Sequence, residues 1–449
     1  MANSPCMRRP LLLAVLVALL LAWLTPAGAA PSRETAPLSV VSTTQVGPRL
    51  VEHVVRSTAL GGEVVVRVQL PTGYDQDRRR EWPMALLLHG RSENGRTWSE
   101  KTDLEQFDGM VVVMPDGGRV GWYTDWYDDS CCGPLRQQWE SFHLGELLPW
   151  ADTTYRLATG RSQRFVAGDS MGGFGAMSYA ARHPDVFGGA AELSGFVDLM
   201  LLEASGLIGV DGQSYQVAGT PFGSIFGSSV TEEVRWRGHN PVDLAENLRH
   251  TDLVLRHGNG LPGQEGESPD WGETAIRQTG VSFHDRLATL GIDHVWDDYG
   301  NGVHTWPYWE RGLQLVWPRW LQIASANAPA PSAFSYRAIE PAFDVHGWDV
   351  ALDRGVLELA VLDVSGPTAF TLTGSGAAHV VTPPTFRPNR AYDVAIDGVM
   401  TSVRADRSGR LRVALDLGPA HTAQQYTPAA DAQSAIPGYF RTAAVQISG

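Results

Sequence analysis

The chain has 449 residues, with 35 Lys and Arg against 49 Asp and Glu, for a net charge of −14. That length exceeds one average domain and supplies material for a large core. The acidic balance, with scattered basic residues, argues against nucleic acid or an anionic membrane surface as the main partner.

In chain order, Met1 to Ala29 has the make-up of a secretory signal peptide. Arg8-Arg9 gives a positive start, Leu11 to Leu24 an apolar core, and Ala27-Gly28-Ala29 a small-residue cleavage site. The apolar core is 14 residues long, short of the roughly 20 that span a bilayer, and no later segment is long enough either. The expectation is a secreted protein without a membrane span, in the medium or at the cell envelope, from which Cys6 is lost with the leader.

From about Val51 to Ala324 short apolar runs alternate with longer amphipathic ones. Val64–Leu70, Met84–Leu88, Met110–Met114, Phe165–Ala167, Ala190–Leu193 and Leu253–Leu255 are expected strands, several apolar throughout, as strands buried on both faces tend to be. Glu140–Trp150 and Thr274–Leu290 have helical spacing. Strands alternating with helices predict a mostly parallel sheet covered on both faces, with its active site at the carboxyl ends of the strands. Arg78-Arg79-Arg80, the densest basic run, is expected to be a solvated loop. Ser205 to His239 has few strong elements and is a candidate cap.

After Cys6 only the neighbours Cys131 and Cys132 remain. They can close a strained eight-membered ring or stay as two thiols, and both states are open. Two sulfurs alone make a poor zinc site, and no metal or cofactor is expected. Residues 325–333 form a small-residue, proline-containing linker. Beyond it Leu357–Val364, Phe370–Thr373, Tyr392–Ile396, Thr401–Ala405 and Leu411–Leu417 alternate or cluster apolar residues between turn signals. Residues 334–449 are therefore expected to be an all-β, sandwich-like module after a catalytic domain of residues 30–324.

The chemistry centres on Gly168-Asp169-Ser170-Met171-Gly172. An apolar strand enters this motif and a helical run leaves it, the context of a nucleophile elbow that exposes a serine hydroxyl. A serine needs a base, and a base needs an orienting acid. His304, in a glycine-rich loop after the expected strand His294–Tyr299 and before the helix around Trp309–Leu321, is the candidate base, with His257 as competitor. Glu265, Glu267, Asp270 and Glu273 are all candidates for the acid, while Asp297 and Asp298 are expected to be structural. The oxyanion donors are expected to be the backbone N–H groups of Met171 and, in the loop after Met84–Leu88, of Arg91.

Several blocks together resemble the antigen 85 type mycolyltransferases, within the wider esterase D-like group of serine hydrolases. These are Met114-Pro115-Asp116-Gly117-Gly118, Trp122 to Tyr127, Trp139-Glu140-Ser141-Phe142, Leu148-Pro149-Trp150, Leu193-Ser194-Gly195-Phe196, Gly258-Asn259-Gly260 and Gly302 to Trp309. The resemblance implies an α/β-hydrolase fold over roughly Leu86 to Leu321, Ser170 as nucleophile, His304 as base and, counting back ten residues from Phe283, Glu273 as the acid. It also implies the amides of Arg91 and Met171 as the oxyanion hole, an acyl ester or lipid substrate, and a sugar or glycolipid among the acceptors. The family's sugar-gripping D-G-L-R-A-like segment is replaced here by His89-Gly90-Arg91-Ser92-Glu93-Asn94, and its cysteine before G-N-G by His257. The expected function is acyl transfer through Ser170 to water or an alcohol. A second reading is an inactive secreted scaffold that binds carbohydrate or matrix. The C-terminal module is a candidate for binding the cell envelope or carbohydrate. The aromatics of Trp122 to Tyr127 are expected to be scaffold, and Trp306, Tyr308 and Trp309 to brace the His304 loop.

Overall fold

The computed structural model describes residues 38–203, 206 and 208–449. The leader expected at residues 1–29 lies outside the described residues. Nine strands form one sheet: β1 (Ser39–Gln45), β2 (Leu50–Ser57), β3 (Gly62–Gln69), β4 (Met84–Leu88), β5 (Val111–Pro115), β6 (Arg164–Asp169), β7 (Gly189–Leu193), β8 (Asp252–His257) and β9 (Val295–Asp298). Their order is β1-β2-β3-β5-β4-β6-β7-β8-β9. The first three and the β3–β5 pair are antiparallel, and every pair from β5 to β9 is parallel. The fold is thus an α/β-hydrolase sheet, mostly parallel as expected.

β4, β5 and β7 are buried at every position, and β6 at all but its first, because helices cover both faces. The two layers of core differ in composition. Trp309, Leu313, Val316, Trp317 and Trp320 of a C-terminal helix fill one, and Phe174, Met177 and Tyr179 of the helix after Ser170 fill part of the other. The antiparallel β1–β2 pair was not among the strands expected from sequence: β1 is exposed along its whole length and offers no apolar alternation. Arg78, Arg79 and Arg80 are exposed, as a solvated loop requires.

His143, in the helical segment from Ser141, is buried behind the β5 carboxyl end. Its Nε2 donates to the carbonyl of Asp116 (2.9 Å) and its Nδ1 accepts from the Tyr179 hydroxyl (2.8 Å). Trp122, Tyr123 and Trp126 are buried, while Tyr127 is exposed. Most of this aromatic block is therefore scaffold.

The helix after His304 runs from Trp306 to Ala326 and ends on Asn327 in a left-handed conformation. Ser325 and Ala326, expected in the linker, belong to its last turn; their small size permits helix as readily as coil. Phe334–Ala338 (β10), Ala342–Val345 (β11), Trp348–Asp353 (β12), Ala360–Gly366 (β13), Ala369–Gly374 (β14), Ala377–Val381 (β15), Ala391–Ile396 (β16), Val399–Arg404 (β17), Arg412–Asp416 (β18) and Arg441–Ser448 (β19) follow. They pair as a six-stranded sheet, β10-β13-β14-β19-β16-β17, and a four-stranded one, β11-β12-β15-β18. One apolar core lies between them, including Trp348, Leu362, Leu372, Val413 and Val445, so the arrangement is a β-sandwich.

Arg182 joins the two parts. Its guanidinium bonds Glu140 (3.1 Å) on the hydrolase side and Glu340 (2.8 Å) beyond β10, and its carbonyl accepts from the Tyr336 hydroxyl (2.6 Å). Asn247 exchanges two bonds with the backbone of Arg337, at 2.9 and 3.0 Å. Burial opposes the charge on Glu140, but Arg182 outweighs it, with help from His183 and His239, and holds this carboxyl well below its ordinary range.

Arg182→Met leaves the buried Glu140 and the part-exposed Glu340 without their shared cation and is expected to cost about 3 kcal/mol in denaturant unfolding, most of it from Glu140; a loss below 0.5 kcal/mol, itself about the scatter for surface sites, contradicts the pairing. Burial pushes His143 and His239 down to about 4, from an ordinary 6.5. The unfolded chain then binds protons that the folded chain refuses, so stability falls as pH drops from about 6.5 to about 4. The denaturation midpoint should decline across that window, less steeply in His143→Gln; an identical slope in the variant would count against the assignment.

Candidate active site

β6 ends at Asp169 and a helix, α1 (Met171–Arg182), begins one residue after Ser170. Between them Ser170 takes φ 52°, ψ −118°, a conformation that a non-glycine residue holds only under constraint. The constraint is visible on both sides. A Cβ at Gly168 would lie 2.8 Å from the Cα of Gly172, and one at Gly172 would lie 2.6 Å from the Leu88 carbonyl carbon. Only glycines let α1 pass this close to the ends of β4 and β6. Ser170 N–H donates to Leu193 O (3.0 Å), and its carbonyl accepts from Gly173 and Phe174 at 3.0 and 3.2 Å. Ser170 is part-buried, and its side chain caps no helix.

His304 follows β9 and stands at the carboxyl end of the sheet. Its Nδ1 lies 2.7 Å from Oε2 of Glu273, which is fully buried on α2 (Trp271–Thr289). The other Glu273 oxygen, Oε1, accepts from Ser194 Oγ and Gly258 N–H, both at 2.8 Å. Burial alone would raise this carboxyl's pKa, but the bond and charge of His304, with His257 and Ser194 behind them, outweigh it and hold Glu273 below its usual range. An acid so held is an anion aimed at one ring nitrogen. The ring of His304 also meets Trp309 edge-on, with centroids 4.9 Å apart.

The four acids that sequence left open have separate tasks. Asp270 caps α2 by accepting from Gly272 and Glu273 N–H (2.8 and 3.2 Å), and its second oxygen accepts from His304 N–H (3.2 Å). It fixes the loop that carries His304 without touching the ring. Glu267 closes its own loop, accepting from Gly263, Gln264 and the Tyr308 hydroxyl. Glu265 is exposed. Asp297 and Asp298 pair with Arg256 and Arg277, the structural role expected of them.

His257, the competing base, is fully buried with Nε2 2.7 Å from Oε1 of Glu192. Burial opposes its charged form, but Glu192 more than offsets this and raises its pKa. It sits inside the sheet end, away from solvent, and is no candidate for proton transfer to a substrate. Ser194, by contrast, was not singled out as a site residue. Its signal lay in the Leu193-Ser194-Gly195-Phe196 block, and its φ of 54° is a second constrained turn beside the first.

The loop after β4 packs against the Ser170 turn. A Cβ at Gly90 would lie 3.4 Å from that of Ser170. His89 anchors the loop: Nδ1 lies 2.8 Å from Gly90 O, Nε2 accepts from Gly117 N–H (2.8 Å), and its carbonyl accepts from the Tyr123 hydroxyl (2.7 Å). Ser92 N–H bonds Arg119 O. Met171 is the first residue of α1, so its N–H has no partner within the helix. Burial lowers the pKa of the Arg91 guanidinium.

Cys131 and Cys132 are joined as a disulfide, settling the choice that sequence left open, and Cys131 Sγ lies 3.6 Å from Ser224 Oγ. Among the described residues no group of three or more His, Cys, Asp or Glu could hold a metal ion, and no helix is long and apolar enough to cross a membrane.

Residues 57–316 match the family described as putative esterase. Esterase Rv1288 of Mycobacterium tuberculosis is 31% identical over 265 residues, 57% of this chain and 56% of that protein. The diacylglycerol acyltransferase/mycolyltransferase Ag85B of Mycobacterium avium is 30% identical over 249 residues, 53% of this chain and 74% of that one. The chain thus spans about half the length of the first of these relatives. Among solved structures, Mycobacterium tuberculosis MPT51 (FbpC1) aligns with a TM-score of 0.49 at 23% identity, over 61% of this chain and 97% of that one. With a single family covering more than half of its length, this chain belongs to the putative esterase family, as an antigen 85-like member.

Proposed function

We propose that this protein is an exported serine hydrolase that cleaves a carboxylic ester through an acyl-enzyme at Ser170. His304 takes the Ser170 proton as the hydroxyl attacks the ester carbonyl, and returns it to the leaving alcohol. Glu273 holds the imidazole with Nδ1–H toward the acid and Nε2 toward the serine, and stabilises the imidazolium as it forms. The N–H groups of Arg91 and Met171 receive the negative charge on the carbonyl oxygen. Water, activated by the same His304, then releases the acid. The observation that carries this reading is the 2.7 Å bond between His304 and a buried Glu273 whose remaining oxygen is already saturated.

Export is supported by the leader-like Met1 to Ala29 and by a disulfide, which suits an oxidising compartment. Hydrolysis is favoured over sugar acylation by the loop 89–94. Its one acid, Glu93, is committed to Gly90 N–H and the Trp306 indole, and is not free to grip a sugar. Acyl transfer to an alcohol is the second reading, favoured by the similarity to Ag85B, whose name records transferase activity. We assign residues 30–324 to catalysis and 334–449 to an accessory module.

Glu273→Gln is expected to lower kcat by about 10³–10⁴-fold, as loss of the orienting acid does in other serine hydrolases. Asp270→Asn should cost under about tenfold and little stability, because asparagine caps a helix N-terminus about as well as aspartate. Equal turnover of Glu273→Gln and wild type in a steady-state assay would reverse the assignment. Incubation with a short-chain acyl ester, in water alone or with trehalose added, should give free acid in both cases. Acyl-trehalose among the products would instead establish transfer.

A further inference from the structure

Asp169 immediately precedes the nucleophile, and its side chain is fully buried. Neither of its carboxyl oxygens closes a hydrogen bond to any described N–H or O–H group. An anion in that position would be costly. The amides of Gly90 and of Asp169 itself lie near enough to favour the charge slightly. Burial, first, and the charge of Glu93, second, outweigh them and raise the Asp169 pKa well above the carboxyl range.

Glu93 comes from the loop after β4. Its Oε2 accepts from Gly90 N–H (2.9 Å), and its Oε1 accepts from the indole of Trp306 (3.0 Å). Trp306 opens the helix behind His304, and Trp309 on that helix touches the His304 ring. Asp169 Oδ2 and Glu93 Oε2 face the same side of Gly90, where a Cβ would meet both. Two carboxyl groups gathered on one side of Gly90, Asp169 fully buried and Glu93 part-buried, disfavour two negative charges, and a proton kept on Asp169 suits the anion of Glu93.

We propose that Asp169 and Glu93 share one proton and act together as positioning residues, Asp169 as the acid that donates and Glu93 as the anion that accepts. The pair would lock the Gly90–Arg91 loop to the nucleophile turn and, through Trp306, to the helix that braces His304. No bond to substrate is involved. The inference rests on the reading of Ser170 as nucleophile and Arg91 N–H as oxyanion donor.

The test uses the full-length protein with a short-chain p-nitrophenyl ester, and thermal unfolding to establish that each variant is folded. Glu93→Ala should lower kcat about 10²-fold, the cost of a misplaced oxyanion donor, with KM within about threefold of wild type; Glu93→Gln should recover part of that loss. Asp169→Leu should lower kcat at least about tenfold, and Asp169→Asn, uncharged and still a donor, should bring it back to within about threefold of wild type. Wild-type kcat in Glu93→Ala, a loss carried by KM alone, or a folded Asp169→Asn as impaired as Asp169→Leu would each overturn the proposal. Ser170→Ala separates the two levels. Activity surviving in it defeats the nucleophile reading and this inference with it, whereas an inactive Ser170→Ala beside fully active Glu93 and Asp169 variants defeats only the shared proton.

Discussion

The close passage of α1 beneath the ends of β4 and β6 is the constraint on which the rest of the site depends. It forces Ser170 into φ 52°, ψ −118°, and it is possible only because positions 168 and 172 carry no Cβ. A serine in relaxed backbone would lay its hydroxyl along the strand or the helix. In this turn Ser170 stands directly before Met171, whose N–H has no partner within the helix. Cooperative burial of the flanking strand and helix holds the unfavourable torsion in place.

Around that turn Glu273 and Asp270 are each given partners and a direction. Glu273 is saturated by Ser194 and Gly258 on one oxygen, which leaves the other for His304. Asp270 holds the His304 backbone and Trp309 packs on its ring. The Ser170 hydroxyl and the Nε2 side of the imidazole are the two groups the proposed chemistry moves. The buried Glu192–His257 and Glu140–Arg182 contacts do comparable work farther out, fixing the sheet ends and the seam with the β-sandwich.

Much of this was legible in the residues. β4, β5, β6 and β7 announce themselves as apolar runs because both faces are covered, and Gly168 to Gly172 marks the turn because no other residue pattern allows it. The four acids near α2 could not be separated by spacing, since they lie within ten residues of one another. Burial and bonding distinguish them, and those depend on Ser194 and Gly258 brought in from other strands. β1 was illegible because it is exposed along its whole length and has no apolar face, with Thr43 linked to His53 of β2 through their side chains. The strands β11, β12 and β15 are mostly apolar but only four to six residues long, too short for a period to stand out, and β15 lies between partners distant in sequence. The pairing of Asp169 with Glu93 is equally non-local, resting on residues 76 positions apart.

The central claim is that Ser170 is the atom that attacks. Treating the protein with a fluorophosphonate and locating the adduct by peptide mass spectrometry tests it directly. A single adduct on the peptide containing Ser170, abolished in Ser170→Ala and strongly slowed in His304→Ala, is the predicted result. A folded wild-type protein that does not label, or that labels at another residue, would contradict it.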